Sequence, residues 1–346
     1  MRKYIPVRGG GDGGFSFLLD KRAILFSLLF LILTLLLFLL SLGMGDFFIA
    51  PIDVIKVLLG TGASDHTLVV QTFRLPRVLA AILVGACLAV SGSILQGMVR
   101  NPLASPDLLG ITGGASVAAV AFITLFPAAS IRWLPLSAMI GAAIVTALLY
   151  GFAWKKGISA LRLVLIGVGI QACTSALNTL LLVTSPTYLT SKAMVWLTGS
   201  VYGTDWNAIL TLLPWALIFI PLAFLFGRSI NVQQLGDDVA RGVGHHVEKY
   251  RALLLLLCVA LAGAAVAIGG AIGFVALLAP QIARKLVGPT FGALLPVTAL
   301  TGSFIVTAAD LIARTVFSPL DLPVGIFTAA IGAPFFMYLL FKYRNQ

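Results

Sequence analysis

Arg74-Leu75-Pro76-Arg77, then a long run of apolar and small residues, then Asn101-Pro102-Leu103-Ala104-Ser105-Pro106: this stretch decides the fold. A weaker echo follows 178 positions later, where Gly85-Ala86-Cys87-Leu88-Ala89-Val90-Ser91-Gly92-Ser93-Ile94 aligns with Gly263-Ala264-Ala265-Val266-Ala267-Ile268-Gly269-Gly270-Ala271-Ile272. Five of the ten pairs are identical, and at the same offset Pro102 meets Pro280. An apolar chain that repeats itself across its midpoint reads as a transporter built from two related halves.

Composition sets the class. Of 346 residues, 60% are hydrophobic and 10% charged, with a mean hydropathy of +1.06. Soluble domains carry about 25% charged residues. Residues 23–42 hold no charge and are long enough to cross about 30 Å of hydrocarbon. This run exceeds a signal-peptide core, and Gly43-Met44-Gly45-Asp46 does not read as a cleavage site, so a retained first helix is expected. Hydropathy divides the chain into about ten spans: 23–42, 76–98, 108–126, 133–153, 161–183, 206–226, 252–270, 274–287, 293–317 and 322–341. The eighth is short and holds Pro280. A broken helix there would need other protein, or a cavity, to satisfy its freed backbone.

With residues 1–22 as a cytoplasmic tail, the inner segments collect 17 of the 23 Lys and Arg residues and the outer segments 6. That bias places both termini in the cytoplasm. The net charge of +11 is thus mainly a topology signal. Spread over separate loops, it does not point to nucleic acid. Six basic residues break the trend on the outer side: Lys56, Arg74, Arg77, Arg132, Lys192 and Arg314.

The chemistry-bearing residues exclude more than they suggest. Cys87, Cys173 and Cys258 fall in three different spans, form no CxxC pair and read as buried small hydrophobes. His66, His245 and His246 lack the further ligands of a metal site. No Walker A pattern is present, so the chain does not bind ATP in the P-loop manner. No catalytic group and no cofactor site is expected. Glu occurs once, at Glu248. Asp310 is the acidic candidate within a span, and Arg314 follows four residues later on the same helix face. A local ion pair there competes with a proton relay. Small-residue pairs at four-residue spacing, such as Gly85/Ala89 and Gly263/Ala267, read as close helix contacts. Residues 51–59 form an amphipathic segment suited to the outer interface.

Four blocks in order carry a resemblance that covers about residues 20–342: RLPR at 74–77, NPLASPDLLGITGGA at 101–115, GAIGFVALLAPQIAR at 270–284 and LPVGIFTAAIGAPFF at 322–336. The chain resembles the permease subunit of the iron-siderophore, haem and cobalamin class of ABC importers, the FecCD-type or type II importers. The resemblance implies an all-α polytopic membrane protein, with about ten transmembrane helices and an internal inverted repeat. Its permease domain would span 23–342, with repeat halves at about 76–183 and 252–341. It also implies a second permease subunit, identical or homologous, two cytoplasmic ATPase subunits and an extracytoplasmic solute-binding protein. The cargo expected is a ferric siderophore or related metal chelate, carried across the bacterial plasma membrane.

Residue by residue, the resemblance makes Arg74, Arg77 and Arg314 docking partners for acidic side chains of the binding protein. Fixed opposite charges would set register and encounter rate. The inner loop 228–251 becomes the ATPase coupling loop. Its segment Leu235, Gly236, Asp237, Asp238, Val239, Ala240, Arg241, Gly242, Val243 and Gly244 would enter a cleft on the ATPase, and two short helices are expected at 232–240 and 245–250, split at Gly242 and Gly244. Asn101 and Leu103 would line an inner gate, although Asn before Pro suffices for a plain turn. The turn at 156–161 lacks the paired hydroxyls of the cobalamin relative, which disfavours cobalamin. An ion-coupled secondary transporter is the alternative, and a channel the third reading. Few midplane carboxylates and a large inner loop count against the ion-coupled carrier, and the inverted repeat against the channel.

Overall fold

The computed structural model describes residues 4–8, 16–45, 47–61, 64–153, 160–318 and 320–343. The expected tail holds a two-stranded antiparallel ribbon, β1 (Tyr4–Arg8) and β2 (Ser16–Asp20), with Tyr4 opposite Asp20. Helices make up the rest of the regular structure among the described residues. They are α1 (Lys21–Gly43), α2 (Pro51–Leu58), α3 (Ser64–Thr67), α4 (Leu75–Val99), α5 (Ile111–Leu125), α6 (Leu134–Ala153), α7 (Ala160–Thr184) and α8 (Thr187–Thr198). There follow α9 (Trp206–Leu225), α10 (Gly227–Gln234), α11 (Asp237–Gly242), α12 (Val247–Gly269), α13 (Val275–Val287), α14 (Phe291–Thr315) and α15 (Val324–Tyr343).

Each of the ten expected spans holds a helix. Seven described helical stretches are long and apolar enough to cross a membrane, and α5 and the apolar part of α15 are shorter. Local chemistry explains the boundaries. Asp20 caps α1 by accepting from the Arg22 N–H at 2.9 Å, so the helix begins two residues before the apolar run. A π-helical turn, Leu68–Arg74, leads into α4, and the Leu75 N–H donates to the Val70 carbonyl. Pro76 then occupies the first turn of α4, where a missing N–H costs nothing. Pro280 lies inside a continuous α13, so the expected break at that proline does not occur. The chain breaks instead at residues 270–274, between α12 and α13, with Gly270 at φ +67°. The helix α8 was not expected at all; its polar Thr187-Tyr188-Leu189-Thr190-Ser191-Lys192 start reads as loop.

Packing separates helices that hydropathy cannot. α1 and α4 are comparably apolar, yet α1 is mostly exposed and α4 is buried on nearly every side. An all-apolar helix suits either lipid or a protein core. Around α4 lie α14, α12, α13 and α9. The repeat appears in this packing as an exchange: α4 of the first half packs on α14 of the second, and α12 of the second packs on α6 of the first. Gly85 meets the Gly302 backbone of α14, and its counterpart Gly263 faces Ala142 of α6. The two proline positions do not correspond locally. Pro102 follows α4 in a turn, whereas Pro280 sits within a helix.

Candidate functional site

Two clusters of charge mark the ends of the bundle, called outer and inner here after the basic-residue bias. At the outer end, Arg74 donates to the Leu42, Gly43 and Phe47 carbonyls at 2.8, 3.0 and 2.8 Å. Two of these belong to the last turn of α1, where carbonyls lack intrahelical donors and a cation is favoured. Its guanidinium also lies 5.0 Å from the Phe47 ring centre. Arg77 donates from Nε to Asp310 at 2.9 Å, and from its two terminal nitrogens to Asp321 at 3.3 and 2.9 Å. Arg314 donates to the Met44 carbonyl at 3.0 Å and to the Ser41 carbonyl, and its Nε is 3.7 Å from Asp310.

The arginines at 74, 77 and 314 are only 7%, 8% and 7% exposed. The expected docking of acidic side chains would therefore have to draw on guanidinium groups that are already engaged within the chain. Residues 74 and 77 share a helix face, and that face turns towards α1 and α14. Their hydrogen bonds are directed inward, so an incoming carboxylate would have to break them. The expected pair of Asp310 with Arg314 exists, but Arg77 is the nearer partner. Together these residues tie the ends of α1, α4 and α14 to the start of the α15 segment.

At the inner end the expected helix boundaries shift. α10 stops before Leu235, and Gly236 takes φ +107°, a conformation that favours glycine. Asp237 and Asp238 then open α11, where acids suit the helix dipole. A break thus precedes Asp237, in addition to the expected one after Gly242, where Gly244 takes φ +79° and α12 begins at Val247. Asp237 accepts from Arg251 at 2.9 and 3.1 Å and from Arg100 at 3.2 Å. Arg251 is 1% exposed and lies in the second turn of α12. Arg100 ends α4 in the left-handed region at φ 58°. One carboxylate thus joins α11 to both α4 and α12.

The remaining face of this segment is open. Leu235, Val239 and Val243 are exposed at four-residue intervals, while Ala240 is buried. Gly242 has free space where a side chain would project. Arg241 pairs with Glu248 at 3.6 Å. His245 stacks on Tyr250 with ring centres 4.4 Å apart. Burial, and then the neighbouring His246, hold its imidazole below the usual histidine range.

Asn101 and Leu103 fall in the turn after α4. The Leu103 N–H donates to Asn101 Oδ1 at 2.9 Å, and the Ala104 N–H to the Asn101 carbonyl at 3.1 Å. Asn101 thus holds its own turn. Gln281 of α13 donates to the Pro102 carbonyl and, at 3.2 Å, to Gln96 of α4. Farther along the same turn, Ser105, Asp107 and Leu108 line the inner part of a groove between the helices. Asp107 was missed because it stands just outside the expected span. Of the other gate region, 156–161, residues 156–159 lie outside the described residues. Cys87 and Cys258 are buried as expected, but Cys173 is exposed on α7.

The description of the FecCD transport family matches residues 33–342. The achromobactin transport system permease protein of Dickeya dadantii (strain 3937) is 51% identical, with 88% of each chain covered. The Fe(3+)-citrate import system permease protein YfmE of Bacillus subtilis (strain 168) is 43% identical, over 94% of this chain and 98% of the relative. A solved structure described as an inward-facing metal-chelate type ABC transporter superposes with a TM-score of 0.82 and 32% identity, over 91% of this chain and 98% of that one. The chain is a multi-pass membrane transport protein and belongs to the FecCD transport family.

Proposed function

We propose that this chain is the permease subunit of an ATP-driven importer, and that it moves a ferric siderophore or similar iron chelate from an extracytoplasmic binding protein into the cell. It would pair with a second permease subunit and two cytoplasmic ATPases, in a bacterial plasma membrane with both termini inside. The observation that carries this reading is the inner-end junction. Asp237 fixes α11 to α4 and α12 through Arg100 and Arg251, while the face bearing Leu235, Val239 and Val243 stays open. A short helix clamped to two core helices can pass a push from a partner into the bundle. Its apolar outer face supplies contact area for that partner.

At the outer end, the buried arginines would shape the mouth that receives the binding protein. They would hold helix ends in place without contributing docking charges. The ion-coupled alternative is less well supported. Asp310, the acidic group it would use, is held between two arginines.

Gly242→Trp tests the coupling role. Nothing lies within 4 Å of a Cβ placed there, so the fold tolerates the indole while the partner surface gains bulk. Reconstituted with ATPase and binding protein, the variant is expected to lose about tenfold or more of ATP-driven iron uptake, as for a disrupted interface centre. Its thermal unfolding should match wild type. Wild-type uptake from a well-folded Gly242→Trp variant overturns the coupling assignment.

A further inference from the structure

The groove whose inner part holds Ser105 and Asp107 runs between α7 on one side and α13 and α15 on the other, over α5. It encloses about 450 Å³, within the size range of small-molecule sites. In a chain this apolar its lining is unusual. Gln171 and Asn178 of α7 line it together with Thr112 and Ser116 of α5. Gln171 and Asn178 stand seven residues apart, two helical turns, and so share one face. Among the described residues, Gln171 Oε1 and Asn178 Oδ1 have no hydrogen-bond partner. Polar side chains within a membrane domain turn towards the bundle interior or a water-filled cavity, and an amide left without partners there is costly. These two amides complete no network inside the chain. Both orphaned oxygens are buried acceptors, so a ligand in the groove would meet each amide through its N–H2 group.

The described lining carries no Lys, Arg or His, and its one acidic residue is Asp107. A charge pair would hold an anionic chelate tightly. Neutral amides and hydroxyls offer exchangeable hydrogen bonds, weak enough for release, which a transport path requires.

We propose that Gln171 and Asn178, with the Thr112 and Ser116 hydroxyls in the same lining, form a polar station whose amide N–H2 groups donate hydrogen bonds to the acceptor oxygens of an iron chelate in transit, and so set which chelates pass. This rests on the permease reading above and adds a selectivity site to it.

The test uses the complete importer in proteoliposomes, with its ATPase and binding protein, and a panel of iron-55 chelates: citrate, a trihydroxamate and a tricatecholate. Gln171→Leu/Asn178→Leu is expected to lower uptake of the favoured chelate about tenfold, the loss of two hydrogen bonds, and to change the order of preference. Gln171→Asn/Asn178→Gln keeps both amides and should restore that order. Unchanged rates and an unchanged order in the leucine variant overturn the station. Failure of the wild type to take up any chelate with ATP overturns the permease reading instead.

A second readout guards against a leucine variant that does not assemble. In a Cys173→Ala background, with Cys87 and Cys258 buried, Gln171→Cys and Asn178→Cys should react with a charged, membrane-impermeant thiol reagent. Leu217→Cys, on an exposed apolar face of α9, should not. Two unreactive cysteines at 171 and 178 also overturn the proposal.

Discussion

Asp310→Ala is expected to destabilise the folded protein more than removal of any exposed charge. The Asp310 carboxylate is fully buried and lies between two buried guanidinium groups, 2.9 Å from Arg77 and 3.7 Å from Arg314. Arg77 keeps Asp321 after the substitution, and Arg314 keeps the Met44 and Ser41 carbonyls. Arg314 nevertheless loses the carboxylate nearest it, and Arg77 is left with the part-exposed Asp321 to offset its desolvation. Breaking a buried pair from one side costs about 3–5 kcal/mol. Four elements depend on the cluster, because Arg77 reaches Asp321 ahead of α15 while Arg314 reaches the end of α1. The loss should therefore appear as lower yield in the membrane and a lower unfolding temperature in detergent.

A second variant separates charge from packing. Asp310→Leu with Arg77→Met and Arg314→Met removes the whole buried set, and a well-packed apolar replacement of such a set is often neutral or better. This triple variant should recover much of the stability that Asp310→Ala loses. Lys56→Ala, which breaks the exposed pair with Asp53, should change stability by less than about 1 kcal/mol. An Asp310→Ala protein as stable as the Lys56→Ala protein would show that the cluster does not hold the outer end together.

Which features could be read from sequence follows from how far each signal reaches. Apolar runs bounded by charge or by Gly and Pro report on roughly twenty residues at once, so the positions of the ten helices were legible. The basic-residue excess marked Arg74, Arg77 and Arg314 as exceptions. It could not tell an outward charge from an inward one. Their partners lie far off in sequence, 233 residues away for Arg77 and Asp310, and three of the acceptors for Arg74 are backbone carbonyls, which leave no trace in composition. Of the three glycines at 236, 242 and 244, the later two were legible as a helix break and the first was not. The two acids that follow Gly236 were the better cue. The polar face of α7 was legible at Gln171, Thr174 and Asn178, and it went unread because each residue is unremarkable alone. Asp107 stood one residue outside an expected boundary. Resemblance carried roles onto positions, and the side-chain geometry then supplied the partners those side chains hold within the chain.

Gly92→Ala is expected to be among the most damaging single methyl additions in the chain's core. A Cβ at position 92 would lie 1.8 Å from the Ala276 carbonyl oxygen of α13. That oxygen is backbone, so no rotamer change relieves the overlap, and α4 and α13 must separate. Pro280 explains why the oxygen is there. In a regular helix the N–H of residue 280 would bond the carbonyl of residue 276, and proline has no N–H. The released carbonyl points to the neighbouring helix, and only glycine lets α4 come that close. Just below, Gln281 bonds Gln96 and the Pro102 carbonyl, so a separation would also loosen the turn that Asn101 holds. Overpacking alone costs about 1–3 kcal/mol, and the lost buried hydrogen bonds add to it. Gly92→Ala should therefore fold poorly, and any folded fraction should show reduced uptake in the complete importer. Pro280→Ala supplies the missing N–H and draws the Ala276 carbonyl back along its own helix. The double variant Gly92→Ala/Pro280→Ala should then be more stable than Gly92→Ala alone, a coupling that a double-mutant cycle measures directly. Additive losses at the two positions would break the link between the proline and the glycine, and wild-type stability of Gly92→Ala would remove the close approach itself.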